Sequence, residues 1–408
     1  MTVPPAVDDP LRRAPVADLA RRALDAGRAG GLDAVGIATA DPFIDTRVHL
    51  EERRRAGLHG GMAFTYRNPA RSTDPRALLP SARALVAGAR AYGGGDLTPP
   101  PGGRPQGRVA RYAWGDHYAE LEVGLEAVAE VLRADGWRAL VVADQNHLVD
   151  RAVAHRAGLG WYGKSSLLLL PGAGSWFVLG AVVTDAPLAP TAETPVADGC
   201  GPCTRCLDGC PTGAIVAPGV VDARRCLAWI VQAPGPMPRP LRAALGDRIY
   251  GCDECQDVCP PNRVELRRHR RGEAVVDDQA RAHDERADRP WVDLIDLLAA
   301  SDDELLDRHG RWYIAGRDPR WIRRNAVVAL GNVGDPDDPA VIAALRVELT
   351  GPDDLLAAHA AWAARRLGRH DLLVDLDPAV IGPDLAAELI ADPPPRRPVG
   401  ASGDEGGA

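Results

Sequence analysis

Cys200-Gly-Pro-Cys203-Thr-Arg-Cys206-Leu-Asp-Gly-Cys210-Pro211, then a lone Cys226, then Cys252-Asp-Glu-Cys255-Gln-Asp-Val-Cys259-Pro260, is the stretch that decides how this chain is read. All eight cysteines of the 408-residue sequence lie within these sixty positions. The first segment has the C-x2-C-x2-C-x3-C-P spacing in which three thiolates hold one 4Fe-4S cluster and the fourth crosses over to another. Two clusters need eight ligands, and eight are present. The crossover rule gives Cys200, Cys203, Cys206 and Cys259 to one cluster. It gives Cys226, Cys252, Cys255 and Cys210 to the second, whose first ligand is set apart by an insertion.

Paired C-x2-C motifs also suit tetrahedral zinc. The run of three cysteines and the proline after each fourth one speak against it. Disulfides are a weaker alternative still, because the sequence shows no secretory signal or apolar spanning run, and a cytoplasmic chain keeps its thiols reduced. The expectation is therefore a cytoplasmic, monomeric protein with no membrane partner.

Composition bounds the surroundings of the cysteine module. With 46% apolar and 25% charged residues, the chain is large enough for two or three domains. A net charge of -8 excludes bulk affinity for nucleic acid but leaves room for local basic patches. Residues 1–15 and the tail 393–408, rich in proline, glycine and charge, read as disordered ends.

Residues 16–190 read as an α/β domain. A helix is expected over Val16 to Ala29, and strands over Ala34–Ala38, Arg83–Tyr92, Trp137–Asp144 and Ser175–Asp185. Further helices are expected from His117 to Leu132 and from His147 to Ala157. Strands alternating with helices favour a largely parallel, helix-covered sheet. Residues 191–271 form the ferredoxin-like module with its two 4Fe-4S clusters, and 272–290, charged and poor in large apolar residues, a linker. Residues 291–392 are helical. There Asn325–Gly334 can be laid over His359–Gly368 at an offset of 34 residues, which points to a short HEAT-like repeat domain, with an unrelated bundle as the alternative.

Clusters ligated only by cysteine move single electrons, so the α/β domain is the natural receiver. Gly158-Leu-Gly-Trp-Tyr-Gly163-Lys164 matches neither a dinucleotide fingerprint nor a P-loop. Asp144 ends an apolar strand, and in parallel sheets ligands bind at the carboxyl ends of strands. A carboxyl there, beside an apolar wall, could act as a general acid. The alternative is that Asp144 caps the following helix.

The ordered set of motifs carries a resemblance. Arg111-Tyr-Ala-Trp-Gly115, then Asp144 followed by Leu148-Val-Asp-Arg-Ala-Val-Ala154, then Ala157-Gly-Leu-Gly-Trp-Tyr-Gly-Lys164 resemble the epoxyqueuosine reductase family. So do Val221-Asp-Ala-Arg-Arg-Cys226, Arg248-Ile-Tyr-Gly-Cys252 and Arg323-Arg-Asn-Ala-Val-Val-Ala-Leu-Gly-Asn332, and the likeness runs from about residue 30 to 370. It implies a cobalamin-dependent enzyme that reduces the epoxide of epoxyqueuosine in tRNA, the last step of queuosine synthesis. Electrons would come from an unidentified low-potential donor through the clusters to cobalamin.

The resemblance makes Asp144 the proton donor. It places Lys164 and Ser165 beside the pocket, and Asp253 and Glu254 against the corrin. It also assigns the helical repeats to the anticodon stem-loop, for which Arg320, Arg323 and Arg324, within a wider arginine group, are the candidate phosphate contacts. A solvated lysine and solvated arginine faces are the plain alternatives. Asp116-His117-Tyr118-Ala119 and Asp144-Gln145-Asn146-His147 depart from the family pattern and put the grip on cobalamin or substrate in question. No Asp-x-His-x-x-Gly signature is present, which points to a corrin held without a protein histidine. Competing functions are a reductive dehalogenase using the same cofactors and a non-catalytic electron carrier or tRNA-binding scaffold.

Overall fold

The structure, a computed structural model, describes residues 15–93, 97–271, 290–374, 376 and 381–395. Residues 1–14 of the expected N-terminal tail, 272–289 of the expected linker and 396–408 of the expected C-terminal tail lie outside the described residues. The chain forms two compact units that share the sequence in alternating pieces. The first takes residues up to Gly95, Gly115–Arg224 and Glu254–Asp284; the second takes Asp96–Trp114, Arg225–Asp253 and the remainder from Glu285.

At the centre of the first unit is a four-stranded sheet, in the spatial order Ala34–Thr39, Ala84–Ala91, Phe177–Thr184, Ala139–Ala143. Every neighbouring pair is antiparallel, with Ala34 opposite Ala89, Gly88 opposite Gly180 and Val142 opposite Ala181. The expectation of a largely parallel sheet is thus corrected. Alternation of helices and strands fixes direction only when each connection is a single crossover helix. Here the connections carry several short elements and can return from either end. The helical cover is as expected: Val16–Ala29 and His117–Ala134 pack together on one face, and Asp150–Arg156 lies on the other.

Close packing explains the glycine pair in the middle of the sheet. Leu125, fully buried on the long helix, presses on both strands at once. A Cβ at Gly88 would come within 2.9 Å of its methyl and one at Gly180 within 2.8 Å. Burying such a leucine stabilises the unit by roughly 1.5–3 kcal/mol.

The second unit joins a three-stranded sheet to helices. Gln106–Val109 lies between Arg248–Tyr250, parallel to it, and Trp291–Asp293, antiparallel. This pairing draws residues 96–114 out of the preceding α/β sequence. The helices Arg320–Val333 and Asp354–Leu367, both of 14 residues, keep the offset of 34 noticed in the sequence. They touch closely, since a Cβ at Gly331 would stand 2.7 Å from Ala363.

Arg324 is a strut in this unit. Only 1% exposed, it donates to the carbonyl oxygens of Ile230 at 2.9 Å, Ala233 at 2.7 Å and Gly235 at 2.6 Å, and to Asn325 Oδ1 at 2.9 Å. Asn325 in turn donates to the carbonyls of Val231 at 2.7 Å and Ile249 at 3.0 Å. Burial lowers the Arg324 pKa to about 10, with Arg242 adding to the effect, so it remains a cation at neutral pH. A guanidinium consumed by backbone carbonyls has no face left for phosphate, and the expectation of a tRNA contact at Arg324 is corrected. Two adjacent arginines look alike in sequence, and helical phase alone separates the inward one.

Arg324→Met should lower the unfolding free energy by about 3–5 kcal/mol, because it leaves buried carbonyls without a donor. Urea denaturation checks this: an unchanged midpoint would remove Arg324 from the fold's supports.

Candidate redox and proton-donor site

Cys200, Cys203, Cys206 and Cys259 all belong to the first unit. A tight turn with Gly201 at φ 50° and a bond from Cys203 N–H to the Cys200 carbonyl at 3.1 Å sets the first two side by side. Asp198 Oδ1 accepts from Cys200 N–H at 2.8 Å and fixes the entry. The chain returns Cys259 at the head of the helix Pro260–Arg270, where Arg263 N–H meets the Cys259 carbonyl at 3.0 Å.

Burial pushes the Cys259 thiol up to about 11, against a backbone hydrogen bond from Asn262, and the neighbouring thiols of Cys200, Cys206 and Cys203 add to the rise. Burial followed by Cys200 raises Cys206 as well. Thiols that disfavour each other's anions become thiolates when positive charge is placed among them, and an iron-sulfur cluster supplies it. Among the described residues, no three His, Cys, Asp or Glu side chains converge to hold a single metal ion.

Of the second set, Cys210 and Cys255 lie in the first unit and Cys226 and Cys252 in the second. Burial opposes ionisation of Cys210, but hydrogen bonds from the Thr212 and Ala214 backbone outweigh it and lower the pKa. The Ala214 N–H reaches Cys210 Sγ at 3.2 Å. All eight cysteines are half-buried and none is in a disulfide.

Four buried amide and hydroxyl side chains fasten the Cys255–Cys259 segment to the sheet. Gln256 Nε2 donates to Tyr92 Oη at 3.0 Å and to the Ser175 carbonyl at 3.0 Å. Asn262 Nδ2 donates to Ser175 Oγ at 3.0 Å, while Asn262 Oδ1 accepts from Ser175 N–H at 2.7 Å. Gly174 must be glycine there: its φ is 80°, and a Cβ would fall 1.9 Å from Asn262 Oδ1.

Tyr92 also borders the acid site. Asp144 follows the strand Ala139–Ala143 with φ at 48°, a left-handed conformation that turns the chain sharply. The next helix begins at Asp150 with Val149 as its N-cap, so the capping alternative for Asp144 fails. Burial raises the Asp144 pKa to about 6. The residue is nevertheless open to solvent, so its carboxyl can be reached from outside. Asp150 is pushed well above the ordinary carboxylate range, first by burial and then by the charge of Asp144. Burial, then Asp144 and Asp150, likewise hold the Tyr118 phenol neutral. Asp150 Oδ1 and His147 Nδ1 are buried without a hydrogen-bond partner among the described residues.

Lys164 extends from a short hairpin, and its ammonium donates to the carbonyls of Gly201 at 2.6 Å and Cys203 at 2.9 Å. It is thus engaged with the ligand loop, and the solvated-lysine alternative fails.

Residues 199–262, which contain all eight cysteines, match the family model described as a 4Fe-4S double cluster binding domain. An epoxyqueuosine reductase of Bacillus cereus is 32% identical over 344 residues, covering 83% of this chain and 86% of its own length. One of Pseudomonas aeruginosa is 34% identical, covering 90% and 99%. The chain belongs to the epoxyqueuosine reductase family. It is accordingly an oxidoreductase. A solved epoxyqueuosine reductase bound to an epoxyqueuosine-modified tyrosine tRNA stem-loop superposes with a TM-score of 0.79 at 29% identity, covering 92% of this chain and 99% of that one.

The departures from the family pattern have physical locations. Asp116 caps the long helix, accepting from Ala119 N–H at 3.1 Å. The buried His117 ring lies 5.9 Å from that of Tyr92 and faces Glu120 at 3.7 Å. Sequence reasoning gave no role to Tyr118 or Asp150, although both stand in quoted motifs; nothing local signals that a helix and a loop bring them beside Asp144.

Other expected contacts are spread out. Ser165 lies in the turn Gly163–Ser166, where Ser166 N–H donates to the Gly163 carbonyl at 2.9 Å. In the second unit, Asp253 Oδ2 accepts from Arg111 N–H at 2.7 Å, which turns its carboxylate inward. Glu254 opens the helix Glu254–Asp257 in the first unit. Arg320 Nε pairs with Asp353 at 2.8 Å, and Arg323 pairs with Asp302 and donates to the Ala300 carbonyl at 2.6 Å.

Two outcomes follow. Cys259→Ser should abolish one of two cluster signals in the reconstituted protein, read by iron analysis and electron paramagnetic resonance; loss of neither would break the ligand assignment. Because the folded pKa of Asp144 lies above its ordinary value of 3.8, the stability it contributes is present below pH 3.8 and lost as pH rises through about 6. Asp144→Asn should therefore gain stability relative to the parent between pH 4 and pH 7, and parallel stability curves would refute the raised pKa.

Proposed function

We propose that this chain reduces the epoxide of epoxyqueuosine in tRNA to the alkene of queuosine, with Asp144 as proton donor. The observation that carries the reading is a reachable carboxyl of pKa about 6 in the same compact unit as the Cys200, Cys203, Cys206 and Cys259 thiols. Removing an epoxide oxygen as water takes two electrons and two protons. Asp144 can hold a proton near neutral pH and deliver it to the opening oxygen, which would otherwise become a poorly solvated alkoxide.

Cobalamin, when bound, supplies a cobalt centre that accepts electrons singly and can attack carbon. The Asp144–Asp150 loop fits a large polar-rimmed group, since it leaves His147 Nδ1 and Asp150 Oδ1 buried and unpartnered. Lys164 and Ser165 would border that group, and the backbone at Asp253 and Glu254 would lie against it. Two 4Fe-4S clusters would pass electrons inward from a low-potential donor. Burial and the charge of Asp144 push Asp150 and Tyr118 upward, which disfavours a second negative charge beside the acid.

On this reading, residues 16–190 serve as the cofactor and substrate domain, 191–271 as the cluster domain and 291–392 as a HEAT-like domain that grips the anticodon stem-loop. A modified base turned out of the loop would enter the pocket, as chemistry on a base requires. Arg320 and Arg323 contribute phosphate contacts by exchanging their carboxylate partners. A monomer working in the cytoplasm accords with the lack, among the described residues, of any helix long and apolar enough to cross a membrane.

Asp144→Asn should cut turnover of epoxyqueuosine-modified tRNA by roughly 10²–10⁴-fold while iron content and tRNA affinity stay at the parent level. In the parent, the limb of the rate profile that reports the acid should fall as pH rises above about 6. An unreduced rate in the variant would sink the proton-donor role. Parent protein that leaves the modified tRNA unchanged when loaded and reduced would sink the reaction itself.

A further inference from the structure

Lys164 has a place in the redox machinery that proton transfer does not explain. Its ammonium is held by the Gly201 and Cys203 carbonyls at 2.6 and 2.9 Å, inside the loop that bears three thiols of one cluster. The supporting hairpin is firmly set. Gly163 N–H donates to the Leu167 carbonyl at 2.8 Å, and Gly219 N–H to the Lys164 carbonyl at 2.9 Å. Trp161 presses its ring on Gly199, where a Cβ would come within 2.7 Å of it. The hairpin therefore delivers the lysine stem to the ligand loop from a set backbone.

Lys164 has no carboxylate within salt-bridge distance among the described residues. The acids that flank the ligand loop bond elsewhere: Asp198 accepts from Cys200 N–H at 2.8 Å, and Asp208 from the Thr204 hydroxyl at 2.8 Å. A cluster with four thiolate ligands is an anion that gains one further negative charge on reduction. A fixed cation beside it favours the reduced form more than the oxidised form, and net charge is one of the properties that set cluster potentials.

We infer that Lys164 raises the reduction potential of the cluster held by Cys200, Cys203, Cys206 and Cys259, so that this cluster takes up an electron more readily than its thiolates alone would allow. The inference rests on the two-cluster reading above. Lys164 acts here as a tuning residue, since its ammonium meets backbone carbonyls and not the sulfurs.

The test is an anaerobic potentiometric titration, followed by electron paramagnetic resonance, of the full chain reconstituted with iron and sulfide alone. Lys164→Gln keeps a hydrogen-bond donor and removes the charge, whereas Lys164→Arg keeps the charge. The Gln variant should shift one midpoint to a more negative potential and leave the other in place, with Arg near the parent. The shifted signal should be the one missing in Cys259→Ser. Two clusters with parent midpoints in the Gln variant would overturn the inference. So would a Gln variant that loads only the other cluster, which would make Lys164 a structural clamp. Parent protein without two cluster signals would instead refute the reading beneath it.

Discussion

The turn that presents Cys200 and Cys203 belongs to neither helix nor strand, and the need to satisfy such backbone shapes much of the polar architecture. Its backbone carbonyls fall outside any ladder, and polar groups left unpaired are costly where they are buried. Side chains answer the need. Lys164 takes the carbonyls of Gly201 and Cys203, and Asn262 takes that of Gln256. In the other unit Arg324 takes those of Ile230, Ala233 and Gly235. Each donor arrives on a rigid element, so the ligand loops inherit their shape from the scaffold.

The acid site is made by the opposite economy. Asp144 receives no compensating cation, and desolvation alone shifts it to about 6. Its charge in turn raises Asp150 and Tyr118, after burial, so a second charge beside it is disfavoured. The buried Tyr92–Gln256–Ser175–Asn262 network joins this region to the segment carrying Cys255 and Cys259. Directional hydrogen bonds of this kind allow one register, which apolar packing alone would not impose.

Spacing made the cysteine ligands legible, because thiol count and separation are local properties of the chain. Apolar runs likewise marked the helix Val16–Ala29 to the residue and the sheet strands to within a few positions. Strand direction was not legible: Ala139–Ala143 reads the same whether its neighbour runs with or against it, and the antiparallel outcome removes the parallel-sheet argument for Asp144 while leaving the residue at a strand end. The Arg323-Arg324 pair shows a second limit. Both are cations in sequence, yet one pairs with Asp302 at the edge and the other is enclosed by carbonyls. Tyr118 and Asp150 needed the fold to meet Asp144, since they come from different elements.

The interleaving of the two units bears on how the chain is made. Gln106–Val109 must wait for Arg248–Tyr250 and then for Trp291–Asp293 before its strand is paired on both sides. During synthesis that edge stays open for the time the ribosome needs to add well over a hundred residues. Sheets assembled from such distant pieces form slowly and expose unpaired backbone meanwhile. The cysteine segment lies inside that interval, so iron delivery falls within the period when the second unit is still incomplete, and chaperone binding and cofactor insertion act on the same nascent intermediate.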